Sequence, residues 1–292
     1  MKKNRLAKVI ALGVAAVMTI GLAGCGNSGS SDSSSKDKGS ITVISREEGS
    51  GTRDAFTELT GVLQDDVDKT VDTAEISNST SVVLQSVADN PNAIGYVSLG
   101  SLDDSVKSVK VDGVEASVDT VKSGDYKLQR PFNIVTKGKL KELPQDFVNY
   151  IMSKEGQQII EKEGYISEAK DAKSYKASGL KGTVTLAGST SVAPVMEVLA
   201  DNYKKLNSGV DIEIQQTGSG AGIQSTIEGV CDIGMASRAL DDSEAKEGLD
   251  SQQIALDGIA VIVNNDNSVS ELTTDQIMKI FTGETTDWAD IK

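Results

Sequence analysis

An α/β fold is expected from this chain, and three observations predict it. β-branched apolar runs alternate with helix-compatible stretches along most of its length. Three of those runs end in a turn of glycine and hydroxyl residues that opens a helical stretch. The 292 residues, 38% of them apolar, suit one large domain or two modest ones.

The elements follow in chain order. Residues 1–25 are an address rather than part of the fold. Lys2, Lys3, Arg5 and Lys8 precede an apolar run from Val9 to Leu22, too short for a membrane span and fitting for an export signal. The run closes on Leu22-Ala23-Gly24-Cys25, which resembles a lipoprotein cleavage box and would make Cys25 a lipid-bearing first residue. The alternative is an ordinary secretory signal with an incidental cysteine. Residues 26–39 are Gly/Ser-rich and polar, the composition of a flexible tether.

Strands are expected at Ile41–Ser45, Ala93–Ser98, Phe132–Thr136, Val184–Ala187, Val210–Gln215, Cys231–Ala236 and Ile254–Asn264. Helices are expected at Thr52–Thr60, Ser81–Asp89, Gln145–Glu163, Val192–Asn207, Gly222–Glu228 and Thr274–Phe281. Val106–Ser117, centred on Asp112-Gly113, reads as a β-hairpin. Residues 167–182 are polar and lysine-rich without periodicity, a linker or surface loop.

The three turns share one design. Arg46–Arg53, Gly188–Ser191 and Thr217–Gly222 each place hydroxyls and free backbone N–H groups between a strand and a helix start. That is where open α/β sheets bind ligands and where the helix dipole favours negative charge. Arg46 adds planar donors matched to a tetrahedral oxyanion. A small oxyanion is therefore the expected ligand, with phosphate the first candidate. None of the turns is followed by the lysine of a nucleotide-binding P-loop, and each alone could be a simple helix cap.

Composition narrows the chemistry. The chain has no histidine, which excludes His-based triads and removes the usual ligand of zinc sites. No metal or cofactor is expected. Of two cysteines, Cys231 reads as a small core residue. The formal net charge is −14, or −18 (−14 minus 4) without the four basic residues of the address. This argues against nucleic acid and anionic lipid as partners. A local pocket of aligned donors can still hold an anion, because long-range repulsion is screened beyond about 10 Å at 0.1 M salt.

Several segments carry a resemblance. GSTSVAPVMEVLA, QQTGSGAGIQS, DIGMASR, ALDGIAVIVN, LTTDQIMKIFTGETTDW and ISREEGSGTRDAF all resemble the phosphate-binding proteins of bacterial phosphate ABC transporters, as does the helix around Ser153–Gln157. The order differs from the family's, where the GSTS segment comes first and REEGSGT follows TGETTDW. The chain resembles a circular permutation of that family, with the lysine-rich loop joining the usual C-terminal and N-terminal parts. Permutation is tolerated where ends lie close and at the surface. The alternative is a fusion scar or two incomplete halves pairing between chains.

The resemblance implies a two-lobed, periplasmic-binding-protein-like (type II) α/β fold with a hinge and a ligand cleft between the lobes. One lobe would be continuous, residues 125–262, with the GSTS and TGSGAG loops. The other would be split, 40–120 plus 265–292, with the REEGSGT loop. Crossovers would fall near Tyr126–Phe132 and Ala260–Asn265. The ligand contacts carried over are Thr190, Ser191, Ser219, Arg46, Ser50, Gly51 and Thr52, with Glu48 orienting the arginine. Some members carry an aspartate, after the Ala-Ser of DIGMAS, that accepts the phosphate proton; here that position is Arg238. Arg238 either touches the ligand or forms a surface ion pair with Asp241 or Asp242, and either Glu48, Asp257 or a backbone carbonyl reads the proton instead or discrimination against sulfate is weaker.

The function implied is a lipid-anchored, extracytoplasmic receptor, a monomer and not an enzyme, that passes phosphate to the membrane permease of an ABC transporter. The alternatives are a receptor for sulfate or molybdate, and a phosphoester hydrolase or adhesin on the same scaffold. A hydrolase would need Ser50 or Ser191 as nucleophile, with no histidine to activate either.

Overall fold

The computed structural model describes residues 39–168 and 171–291. The address, Cys25 and the tether up to residue 38 lie outside the described residues. In chain order the fold comprises β1 (Thr42–Arg46), α1 (Gly51–Thr60), β2 (Leu63–Gln64), β3 (Val67–Asp68), β4 (Glu75–Ser77), α2 (Thr80–Asp89), β5 (Ala93–Ser98), β6 (Val106–Ser108), β7 (Lys110–Val111), α3 (Val118–Ser123) and β8 (Gln129–Lys137). It continues with α4 (Glu142–Ile151), α5 (Lys154–Lys162), β9 (Ile166–Ser167), β10 (Gly182–Gly188), α6 (Ala193–Leu206), β11 (Val210–Gln216), α7 (Ser219–Ile227), β12 (Ile233–Ala236), α8 (Asp242–Ala245), β13 (Leu249–Asn264), β14 (Glu271–Leu272) and α9 (Thr274–Phe281).

Two half-sheets meet on long strands. The hydrogen-bonded order is β11-β10-β12-β8-β13-β5-β1-β4. The outer pairs on either side are parallel, while β12, β8, β13 and β5 pair antiparallel. β13 runs through both halves: Leu249–Gly258 pairs with β8, and Ile259–Val263 pairs with β5. Two main apolar cores flank this axis. The first gathers Ile44, Phe56, Tyr96 and Phe281 with Tyr126, Leu128 and Ile259–Val263. The second gathers Phe132, Phe147, Leu186, Met196 and Ile254. Tyr126, Leu128 and Ile259–Ile262, which lie inside the range 125–262, thus pack with the first core. This is a mixed α/β, two-lobed, periplasmic-binding-protein-like architecture.

Three local readings need correction. The helix expected over Gln145–Glu163 is two helices. Ser153 caps the second by accepting from the Gly156 N–H at 3.2 Å, and a Cβ on Gly156 would lie 2.3 Å from the Tyr150 carbonyl oxygen. The helix expected from Gly222 starts at Ser219, because Gly218 takes φ +86° and turns the chain sharply. The Asp112-Gly113 turn forms, with Val111 bridging Val114, but the flanking strands pair elsewhere, β6 with β13 and β7 with β14. The lysine-rich stretch is a surface loop, as expected: its described residues 171–181 form no helix or strand, and it is held to the fold by hydrogen bonds. Tyr175, Tyr203 and Ser178 hydroxyls all donate to Asp146 Oδ2, at 2.6, 2.7 and 2.8 Å.

Both ends of the fold meet. Ser40 bridges Asp287, and the Trp288 N–H donates to the Gly39 carbonyl at 3.2 Å. The Trp288 ring is buried and its Nε1–H donates to the Asn92 carbonyl at 3.0 Å. No helix among the described residues is long and apolar enough to cross a membrane.

Candidate functional site

The site begins with strand ends. β1 emerges at Arg46, β10 at Gly188 and β4 at Ser77, and each is followed within a few residues by a helix start. Ser50 N-caps α1, and Ser79 N-caps α2 by accepting from Val82 N–H. Ser189 Oγ accepts from the Ser191 and Val192 N–H groups at 3.2 and 3.3 Å where α6 begins, and Pro194 sits in that first turn. Gly218 opens α7.

These four helix N-termini face one place. Thr52 Oγ1 of α1 lies 2.9 Å from Ser191 Oγ. Thr80 Oγ1 of α2 lies 3.2 Å from Thr190 Oγ1 and 3.3 Å from Ser191 Oγ. A Cβ on Gly51 would come within 2.5 Å of Ser219 Oγ and 2.9 Å of Ser237 Oγ, so only glycine permits that approach. Ser219 Oγ in turn accepts from the Ser237 N–H at 3.1 Å. Thr52, Thr80, Thr190, Ser191, Ser219 and Ser237 are all at most 5% exposed. Buried hydroxyls at converging positive helix ends make a cradle for a small anion.

Arg46 supplies the charge. Its guanidinium is buried, with Nη2 donating to Thr190 Oγ1 at 2.9 Å, Nη1 near Thr80 Oγ1 at 3.5 Å and Nε donating to the Ser77 carbonyl at 3.1 Å. Beneath it the Tyr96 hydroxyl receives the Arg46 N–H at 3.3 Å and pairs with Ser45 Oγ at 2.8 Å. Burial pushes the Tyr96 phenol up to about 12, so it stays protonated.

The carboxylate on Arg46 is Glu47, which accepts from Nε and Nη2 at 2.8 Å each, and not Glu48, which is exposed on the turn. Glu47 also faces the other side of the cleft, since a Cβ on Gly218 would stand 3.4 Å from its Oε1. Arg238 is committed to carboxylates. It donates to Glu244 at 2.7 and 2.8 Å and to Asp54 at 2.9 Å, and these partners hold it firmly protonated. Asp241 stands 3.7 Å away, as expected, whereas the Asp54 and Glu244 pairs were not foreseen from the sequence. Asp257 pairs with Arg130 and Ser98 rather than with the hydroxyls of the cradle. It is fully buried on β13 opposite Arg130, which donates to it twice at 3.1 Å, and Ser98 donates at 2.9 Å.

The structure thus brings Arg46, Gly51, Thr52, Thr190, Ser191 and Ser219 together, with Ser50 capping α1 beside them, and leaves Glu48 outside. It adds Thr80, Ser189, Ser237 and Glu47. Thr80 had a readable signal, since Ser77–Thr80 repeats the strand, hydroxyl turn, helix pattern without a glycine. Among the described residues no cluster of acidic or cysteine side chains could hold a metal.

Comparison with known proteins bears on this geometry. A family model described as a PBP superfamily domain matches residues 31–155 and 173–292. The phosphate-binding protein PstS 2 of Streptococcus agalactiae serotype V is 53% identical over 298 residues, spanning 100% of this chain and 99% of that protein. PstS 2 of Streptococcus pneumoniae serotype 4 is 48% identical over 296 residues, spanning 100% of both. The crystal structure of a phosphate ABC transporter, phosphate-binding protein from Streptococcus pneumoniae TIGR4 superposes with a TM-score of 0.71 at 50% identity, covering 87% of this chain and 100% of that one.

Proposed function

The chain belongs to the PBP superfamily and, within it, to the PstS phosphate-binding proteins, and from that premise we propose that it captures inorganic phosphate for an ABC transporter. Its part is binding and release, with no chemistry on the ligand. The observation that carries this reading is the convergence of four helix N-termini and the buried Arg46 on one ring of hydroxyls. Arg46, Ser50, Gly51, Thr52 and Thr80 come from the lobe of the first core, and Thr190, Ser191 and Ser219 from the lobe of the second. An anion gripped from both lobes favours their closed arrangement, as hinged binding proteins do.

Glu47 is the carboxylate proposed to read the phosphate proton. It touches the arginine of the site, while Asp257 is spent on Arg130 and Glu48 points to solvent. Sulfate has no proton to offer it near neutral pH. Titration calorimetry with phosphate and then sulfate tests the assignment. Micromolar or tighter phosphate binding with sulfate silent is the expected outcome. Equal binding of both would make the protein a general oxyanion receptor, and silence towards both would remove the function.

The remaining features fit delivery to a membrane. Cys25 would carry lipid on the extracytoplasmic face of the cell membrane, residues 26–39 would tether the fold, and the protein would act as a monomer on permease subunits. The permuted order is proposed to be native to this branch, because relatives align with the chain end to end in the same order. The Ser40–Asp287 bridge supports it by placing the two ends side by side.

A further inference from the structure

Arg238 ties the two lobes together. It follows β12, whose Ile233 and Met235 pack in the second core. Its partner Asp54 lies on α1, beside Ala55 and Phe56 of the first core. The guanidinium is anchored on its own side. Nη1 and Nη2 grip Glu244 at 2.7 and 2.8 Å, Nη1 also donates to the Ala239 carbonyl at 2.8 Å, and Asp241 stands 3.7 Å away. Glu244 is fixed in turn by the Asp241 N–H at 2.8 Å. Nε remains, and it reaches across to Asp54 Oδ2 at 2.9 Å. A second link crosses nearby, from Gly220 N–H to the Gly49 carbonyl at 3.0 Å.

We propose that the Arg238–Asp54 pair is a latch between the lobes, so that both are positioning residues that set phosphate affinity without touching the ligand. The pair exists only with the lobes together, so its favourable energy belongs to the closed form alone and adds to binding through closure. Arg238 is 12% exposed and held rigidly by Glu244, so little side-chain entropy is lost when the last contact forms. Asp54 is 39% exposed, which keeps the contribution modest and sensitive to salt. The inference rests on the phosphate reading above.

The test is Asp54→Asn in the full chain, with phosphate affinity measured at low and high salt. Simple electrostatics makes the opposite forecast, because removing a negative charge beside an anion site should tighten binding. The latch predicts phosphate binding weakened by about 2- to 5-fold at about 0.05 M salt, through faster dissociation, with the gap closing towards about 0.5 M. Unchanged or tighter binding in the variant, or a loss independent of salt, overturns the latch while leaving the phosphate reading intact. A wild-type protein that ignores phosphate overturns that reading instead. The latch is then judged without ligand, by small-angle scattering at low salt, where Asp54→Asn should have the larger radius of gyration. Equal radii would overturn it.

Discussion

Arg46 and Arg130 are both 2% exposed, and each faces a carboxylate. Their surroundings differ. Arg130 is clamped between strands opposite Asp257, whose side chain is 0% exposed, and its guanidinium carbon lies over the Phe132 ring, 5.3 Å from the centroid. Arg46 stands at a strand end, its partner Glu47 is 25% exposed, and its Nη groups also meet hydroxyls of both lobes, Thr80 at the start of α2 and Thr190 in the turn before α6. Hydroxyls can rotate to accept from arginine or donate to an incoming anion; a sealed carboxylate cannot. The difference teaches that burial alone does not mark a binding arginine. The mark is burial among reorientable hydroxyls, with a carboxylate partner that is itself partly exposed.

Replacing each arginine should break this comparison in a different way. Arg46→Met should weaken phosphate binding by at least about 100-fold, because the lost bonds are charge-assisted, while the melting temperature stays near wild type. Calorimetry beside thermal denaturation separates the two. Arg130→Met should do the reverse. Burial pushes Asp257 up from 3.8 to about 6, against the pull of Arg130. A carboxyl raised in the fold holds its proton longer than in the unfolded chain, so its contribution is present at low pH and lost as pH climbs through that value. Without Arg130 the loss extends further. The variant should show little penalty at about pH 4 and one of about 3–5 kcal/mol at about pH 8, with phosphate affinity kept within about threefold.

Two smaller changes sharpen the picture of the cleft. Gly51→Ala would press a methyl against Ser219 and Ser237 from the opposite lobe. Affinity should fall by about 10-fold or more, with little change in melting temperature, because the clash arises only when the lobes meet. Glu48→Gln should change affinity by less than about twofold, whereas Glu47→Gln should narrow the preference for phosphate over sulfate. A competition titration of both variants decides which of the two adjacent acids serves the site.

The legible parts were the local ones. The turns after β1, β10 and β11 announced themselves because strand, hydroxyl turn and helix start are contiguous, and the contacts carried over by resemblance fell on those turns. Ala93–Ser98 and Thr274–Phe281 were placed to the residue for the same reason. Glu47 and Glu48 were not separable, since one residue of turn geometry decides which carboxylate folds back onto the guanidinium. Thr80 was readable in the Ser77–Thr80 pattern, although its turn lacks the glycine of the other three. Arg238 and Asp54 lie 184 positions apart, so no pattern of spacing could pair them. The break between α4 and α5 depended on how closely Gly156 approaches the Tyr150 carbonyl, which is a matter of packing rather than of helix propensity.

The chain holds a single tryptophan, and its indole is stitched to the Asn92 carbonyl where the two ends of the fold meet. Its fluorescence is therefore a gauge of that seam. Emission should stay constant while ligand comes and goes in the cleft, and should shift red when residues 39–42 or 286–288 peel away. An optical probe of capture has to be introduced elsewhere, and the native one serves to watch the seam alone.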